Sequence, residues 1–197
     1  MNLKDFNGKK PKKLEKIDAE FLIWLNNVVL ESTKHFQDYE YSKVKQKIEY
    51  FFWNGFCDNY LEIVKKRVYI GKGEKKKSAQ YTLYQSLLIL LKMFAPIMPF
   101  ITEEIYQEHF KKFEKTKSIH VCEWPKFEKT KDFSNELVLF FDLLIGVRQE
   151  KTKSQKPMNA ECVIYLPKKD KQLLEGMLDD FKNVTNAKDI KESKEFK

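Results

Sequence analysis

Apolar residues recur at three-and-four spacing along most of the chain, a pattern that predicts a mainly α protein built from five long helices. Phe21, Leu22, Leu25, Val28 and Val29 mark the first, with Asp18 placed to cap its start and an end near residues 36–39. The second pattern runs through Val44, Ile48, Phe51, Phe52, Cys57, Tyr60, Leu61, Val64 and Val68. With Ser42 as its cap and an end near residue 69, it would be roughly 40 Å of uninterrupted helix. Segment 71–77, GKGEKKK, is expected to break it as a basic hairpin. The third helix should cover 78–94 through Tyr81, Tyr84, Leu87, Leu88, Leu91 and Phe94. Pro96 and Pro99 would stop it, since each lacks an amide proton and restricts the residue before it.

A fourth helix is expected over 100–113, with Glu103 and Glu104 near the positive end of its dipole. Residues 115–131 form a long connection containing the extended piece SIHVCEWP. A fifth helix over 133–151 carries Leu137, Phe140, Phe141, Leu144 and Val147 and ends on the polar loop KTKSQKPMN. From residue 160 the period shortens. Cys162 to Tyr165 suits a strand stopped by Pro167, 170–181 a helix, and 184–190 a second strand. The expected organisation is a helical bundle over 1–157 followed by a small α/β appendage over 158–197 that still wants a strand or helix to close it.

Composition supports this picture. The chain has 197 residues, 42% of them hydrophobic, which is enough for a real core, and six Gly with six Pro are too few for a turn-rich sandwich or barrel. The formal charge of +8 permits a polyanionic partner, because neutralising phosphates releases counterions. Nearly all of that charge is Lys, since Arg67 and Arg148 are the only arginines, so solubility alone accounts for it equally well. Cys57, Cys122 and Cys162 are odd in number and far apart, which points away from a zinc site or disulfide framework and towards a reducing cytosol. The longest apolar run is interrupted by Lys92, Pro96 and Pro99 and does not suit a membrane span. The polar, Lys-rich start lacks the apolar core of a signal peptide.

Catalytic chemistry is not visible. His35, His109 and His120 are scattered, without a second ligand at helical spacing or a nearby acid and nucleophile, so neither a catalytic centre nor a metal site is expected. GKGE lacks the GxxxxGK[ST] spacing of a phosphate loop. The candidate chemistry lies instead on the cationic rim of the helices. Lys65, Lys66 and Arg67 sit in the last turn of the second helix with Tyr69 beside them, and Lys43 and Lys47 lie near its start. Arg148, Lys151 and Lys153 close the fifth helix. Lys and Arg there would contact phosphates, with Tyr69 and Phe36 as stacking residues. Phe52 and Trp53 are expected in the core, and Asp58 and Glu62 would pair with Lys65 along the helix surface.

The segment FFWNGFCDNYLEIVKKRVY resembles the helical anticodon-binding domain of class I aminoacyl-tRNA synthetases, most closely the valine-specific family of archaeal type. The family pattern F-W-x-x-F-C-D-x-Y-x-E-x-x-K is occupied by Phe52, Trp53, Phe56, Cys57, Asp58, Tyr60, Glu62 and Lys65. LLKMFAPIMPFITEEIY matches the broader Val/Ile/Leu group, SIHVCEWP matches the following connection, and Arg148, Lys151 and Asn159 match an Arg-x-x-Lys-x-x-x-x-x-x-x-Asn crossing into a small α/β segment. Gly55 departs from the family, which usually has an acid there, and would weaken the helix by up to about 1 kcal/mol.

The resemblance implies a class I anticodon-binding helical bundle followed by a small α/β segment, like an excised C-terminal part of a much larger enzyme. It implies cytoplasmic translation, a valine-specific tRNA as partner, and the remaining domains of a parent synthetase that uses ATP, Mg²⁺ and valine. The family's His-Ile-Gly-His motif is absent, and Lys151 to Ser154 only superficially echo Lys-Met-Ser-Lys-Ser, so no cofactor is expected in this stretch of chain. The isoleucine-specific equivalent and a helical protein-assembly module are the alternatives.

Overall fold

A computed structural model describes residues 3, 5–127 and 134–196. Helix α1 (Lys16–Gln37) is followed by α2 (Tyr41–Tyr50), a π-helix (Phe51–Tyr60) and α3 (Leu61–Ile70), which run on without a break. Next come α4 (Gly73–Phe94), α5 (Pro99–His109), the single turn α6 (Lys111–Glu114) and α7 (Asn135–Lys153). The chain then forms β1 (Cys162–Pro167), α8 (Lys168–Leu173), α9 (Leu178–Thr185) and β2 (Ala187–Ser193). The predicted mainly helical architecture with a terminal α/β segment is therefore present.

Several boundaries differ for identifiable reasons. Glu15, not Asp18, precedes the first turn of α1, and Asp18 lies inside the helix, fully buried. Ser42 does not cap α2, which already starts at Tyr41, after Glu40. The break at GKGEKKK is confined to Gly71 and Lys72, because Gly73 adopts a positive φ of 64° and Glu74 to Lys77 then wind as the first turn of α4. Pro99 opens α5 at a position where its missing amide proton costs nothing. Phe133, the predicted start of the fifth helix, and residues 128–131 of the predicted connection lie outside the described residues. The expected helix over 170–181 is two short helices separated by Gly176, with φ of 85°. The expected start of the second strand, Val184 and Thr185, is the last turn of α9.

The middle of the long second helix is the main departure. Between Phe51 and Tyr60 the backbone winds with i→i+5 bonding, so buried positions fall at Phe51, Gly55, Phe56 and Tyr60, four and five residues apart rather than three and four. Two side chains hold carbonyls of this stretch: Asn54 Nδ2 donates to Tyr50 O at 3.1 Å, and Asn59 Nδ2 to Asn54 O at 2.6 Å. Gly55 is pressed against Trp24 of α1, where a Cβ would come within 2.9 Å of the indole ring. Its lack of a side chain is thus what lets the helices approach, an effect the helix-propensity expectation missed.

Helix α4 is buried on two sides and separates two apolar cores. One side joins α1, the π-helix, α3 and α7 through Phe21, Phe51, Tyr60, Leu83, Leu90 and Phe140. Phe21 and Tyr60 stack there with ring centres 4.0 Å apart. The other side of α4, at Tyr84, Leu88 and Leu91, meets Phe6, Tyr106, Phe110 and Ile119. Glu103, expected as a helix-start charge, does more than that. It accepts from Ser118 Oγ and Ile119 N, both at 2.9 Å, and so pins the SIHV connection onto α5.

Strands β1 and β2 pair in parallel, with Ile164 opposite Ile190 and an irregularity between Cys162 and Val163. Their crossover carries α8 and α9, and Phe181 of α9 packs edge-on against Phe140 of α7 at 5.2 Å. The α/β segment therefore shares the main core, and α9 lies directly against the end of α3, where the cationic residues sit.

Candidate nucleic-acid interface

The four candidates at the end of α3 separate by helical phase. Lys65, Lys66 and Tyr69 face solvent, with Tyr69 59% exposed, and Lys65 is bonded to Glu62 at 3.1 Å as the three-residue spacing suggests. Lys66 makes no ion pair with a described residue and is the most available cation of the group. Arg67 faces inward and is 7% exposed. Its Nη1 and Nη2 donate to Asp18 Oδ2 and Oδ1 at 2.8 and 2.7 Å, and Nη1 also to Lys75 O at 3.2 Å. Nε lies 2.8 Å from Asp180 Oδ1, close enough for an ion pair although the N–H bond is not directed at that oxygen.

Arg67 is thus not part of an exposed rim, and the expectation that it contacts phosphate is corrected. Burial opposes its charge, and the two carboxylates override that penalty and hold its pKa above the ordinary value. Asp18 also accepts from Tyr60 Oη at 2.6 Å and from Ser78 Oγ, so this predicted cap is in fact the hub of a buried network joining α1, the π-helix, α3 and α4.

The α7 candidates divide in the same way. Lys151 is buried and donates to three backbone carbonyls, Met158 O at 2.9 Å, Ala160 O at 2.8 Å and Thr185 O at 2.7 Å, which corrects the expectation that it contacts phosphate from the helix end. Arg148 is half-buried, and it donates to Asn59 Oδ1 at 2.7 Å and Asp58 O at 3.1 Å. Those bonds tie α7 to the wide turns of the π-helix, and burial lowers the Arg148 pKa from its ordinary value against the pull of Asp58 and Glu62. Asp58 thereby meets Arg148 through its carbonyl rather than pairing with Lys65. Lys153 is exposed, with Glu150 4.0 Å away.

Lys43 and Lys47 project from α2 into a groove shared with Trp24, Glu31 and His35 of α1, and pair with Glu40 and Glu31 respectively. They lie roughly 30 Å along the helix from Lys65, so the predicted cations fall into two groups rather than one rim. Phe36 is half-buried between Trp124 and Tyr41, at 5.1 and 5.2 Å, and is not a free stacking platform.

Exposed aromatics that the sequence pattern did not place at the surface include Phe100, 89% exposed, Tyr39, Tyr41, Tyr50 and Trp53, the last 59% exposed where a core position was expected. Trp53 turns outward because it stands two residues from buried Phe51, on the opposite face of the helix. Lysine, tyrosine and tryptophan on exposed helix flanks are the side-chain types that can meet phosphates and stack on bases, whereas among the described residues no three His, Cys, Asp or Glu side chains group to hold a metal ion. Among those residues, no helix is long and apolar enough to cross a membrane.

Comparison with known proteins gives this chain a family. Residues 18–166 match the model described as the anticodon-binding domain of tRNA ligase. Similar curated proteins include the valine–tRNA ligases of Haloarcula marismortui, 34% identical over 77% of this chain, Rickettsia felis, 37% over 89%, and Pyrococcus furiosus, 30% over 81%. The aligned stretches are 16%, 21% and 18% of those relatives, so the chain spans about a fifth of their length. With its helical bundle carrying the matched residues from Asp18 on α1 to Leu166 on β1, the chain belongs to the family of anticodon-binding domains of tRNA ligases.

Proposed function

We propose that this chain is the anticodon-binding part of a valine–tRNA ligase and positions a valine-specific tRNA for aminoacylation carried out elsewhere in the parent enzyme, in the cytoplasm. The observation that carries the reading is the family match over residues 18–166 together with similar proteins named valine–tRNA ligase. The exposed cations Lys43, Lys47, Lys65, Lys66 and Lys153, with half-buried Arg148, would contact phosphates, and Tyr69, Tyr50 and Trp53 offer faces to unstacked bases. Arg67 and Lys151 act from inside the fold, by holding the elements that present these groups.

ATP and Mg²⁺ belong to the remaining domains in this reading. The residues present do not fit them: the His-Ile-Gly-His motif is missing, and no metal-ligating group of side chains forms among the described residues. Binding of transfer RNA transcripts across a salt series tests the proposal. Preference for the valine transcript, with the logarithm of affinity falling linearly against the logarithm of salt, is expected. Equal binding of all transcripts, or salt-insensitive apolar association, would overturn it in favour of a related specificity or an assembly role.

A further inference from the structure

Three successive backbone carbonyls, those of Met158, Asn159 and Ala160, are each held from outside their own loop. Lys151 of α7 donates to the first and third at 2.9 and 2.8 Å, and Asn186, the residue ending α9, donates through Nδ2 to the second at 2.7 Å. The Lys151 ammonium is buried among carbonyls and forms no ion pair with a described residue, an arrangement that loses hydration and adds nothing to the apolar core. What it fixes is the position of Asn159. The Asn159 side chain is exposed and makes no hydrogen bond with a described residue, and the same is true of the half-buried Asn183 amide on α9.

Both amides line a cleft of about 640 Å³ where α3, α7 and α9 meet. Its apolar floor is made by Leu144, Val147 and Val184, and Arg148 and Glu62 stand on its rim. A carboxamide offers a donor and an acceptor in one plane, the complement of the donor and acceptor on a base edge, and an apolar floor suits the face of a ring. Opposite charges on the rim favour a neutral group over a phosphate. Arg148 is already held by Asn59 and Asp58 O, and keeps further N–H groups for the backbone of the same strand.

We propose that this cleft takes one unstacked nucleobase of the bound RNA loop, read by the Asn159 and Asn183 side chains, with Lys151 as the residue that positions Asn159. The proposal rests on the anticodon-binding reading and names a subsite within it. Arg148, Lys151 and Asn159 are spaced along the chain so that one holds the helices, one holds the loop and one meets the base.

The test uses this chain and an RNA hairpin carrying the anticodon loop of a valine-specific tRNA, with a fluorescent purine analogue placed at one loop position at a time and, separately, with an abasic residue at each. One position is expected to report insertion, and the abasic residue there to weaken binding about 10- to 100-fold. Asn159→Ala with Asn183→Ala should abolish that signal and weaken the intact hairpin by a similar factor, with the salt slope unchanged because phosphate contacts remain. In that variant the abasic substitution should cost little more. Undiminished signal and affinity in the variant, or losses that simply add, would overturn the proposal. The abasic series on the unaltered chain needs no variant, and equal affinity at every position would also overturn it. Failure of the unaltered chain to bind any hairpin would overturn the anticodon-binding reading itself.

Discussion

Arg67 of α3 grips both carboxylate oxygens of Asp18 of α1, through Nη1 at 2.8 Å and Nη2 at 2.7 Å, in a site where neither side chain is appreciably exposed. Such a two-pronged pair fixes the angle between two helices as well as their charges. Asp180 of α9 approaches the same guanidinium, so one cation ties the first helix, the end of the long helix and the α/β segment together.

Arg67→Ala should therefore destabilise the fold by about 3–5 kcal/mol, because two carboxylates would be left buried without their cation. Urea denaturation measures this. Arg67→Lys should recover only part of the loss, since an ammonium cannot reproduce the paired bonds. Full stability in the alanine variant would mean that Arg67 is solvent-facing in solution.

Asp180 gives the network a pH dependence of known sign. Burial raises its pKa to about 6, against the pull of Arg67 and with help from Asp18 and Glu15. The folded state then holds a proton that the unfolded chain, with an ordinary carboxylate near about 3.9, releases. The resulting stability is fully present below that lower value and is lost as pH rises through about 6. Relative to Asp180→Asn, the unaltered chain should gain roughly 1–3 kcal/mol between about pH 7 and about pH 4. Comparing thermal melts of the two proteins cancels the opposite contribution of Glu40, whose pKa is lowered by Lys43 and His35. Parallel pH profiles would show that Asp180 is not buried.

Gly55→Ala should destabilise by about 1–3 kcal/mol, although alanine is the better helix former, because the new Cβ meets the Trp24 ring at 2.9 Å. Trp24→Leu in the same chain should remove most of that cost. Denaturation curves for the two single variants and the double variant decide it, and purely additive losses would contradict the packing.

Lys65→Ala with Lys66→Ala should leave the melting temperature nearly unchanged, since both side chains are exposed and the Glu62 pair is a surface one. Binding to transfer RNA should weaken, with the salt slope smaller by about 1 for each phosphate left without its lysine. An unchanged slope would remove the end of α3 from the RNA surface.

The periodicity of apolar residues was enough to find the long helices, the two short strands and their order, because burial of one face repeats every few residues and needs only local sequence. The family motifs were equally legible, since they are strings of neighbouring residues. Which side of the helix Lys65, Lys66 and Arg67 face was not. Three adjacent cations look alike until Asp18 and Asp180 arrive from other elements, and it is their charge, delivered by the packing of α1 and α9, that draws Arg67 inside. Phe56, absent from the three-and-four pattern yet buried, shows a related effect. A few wide turns, accommodated by Gly55 against Trp24, rotate every later side chain relative to the three-and-four rule, and that rotation is a property of helices in contact. The chain's own order of residues specifies elements and composition; the direction in which a charge or ring points is settled by the partners that packing brings to it.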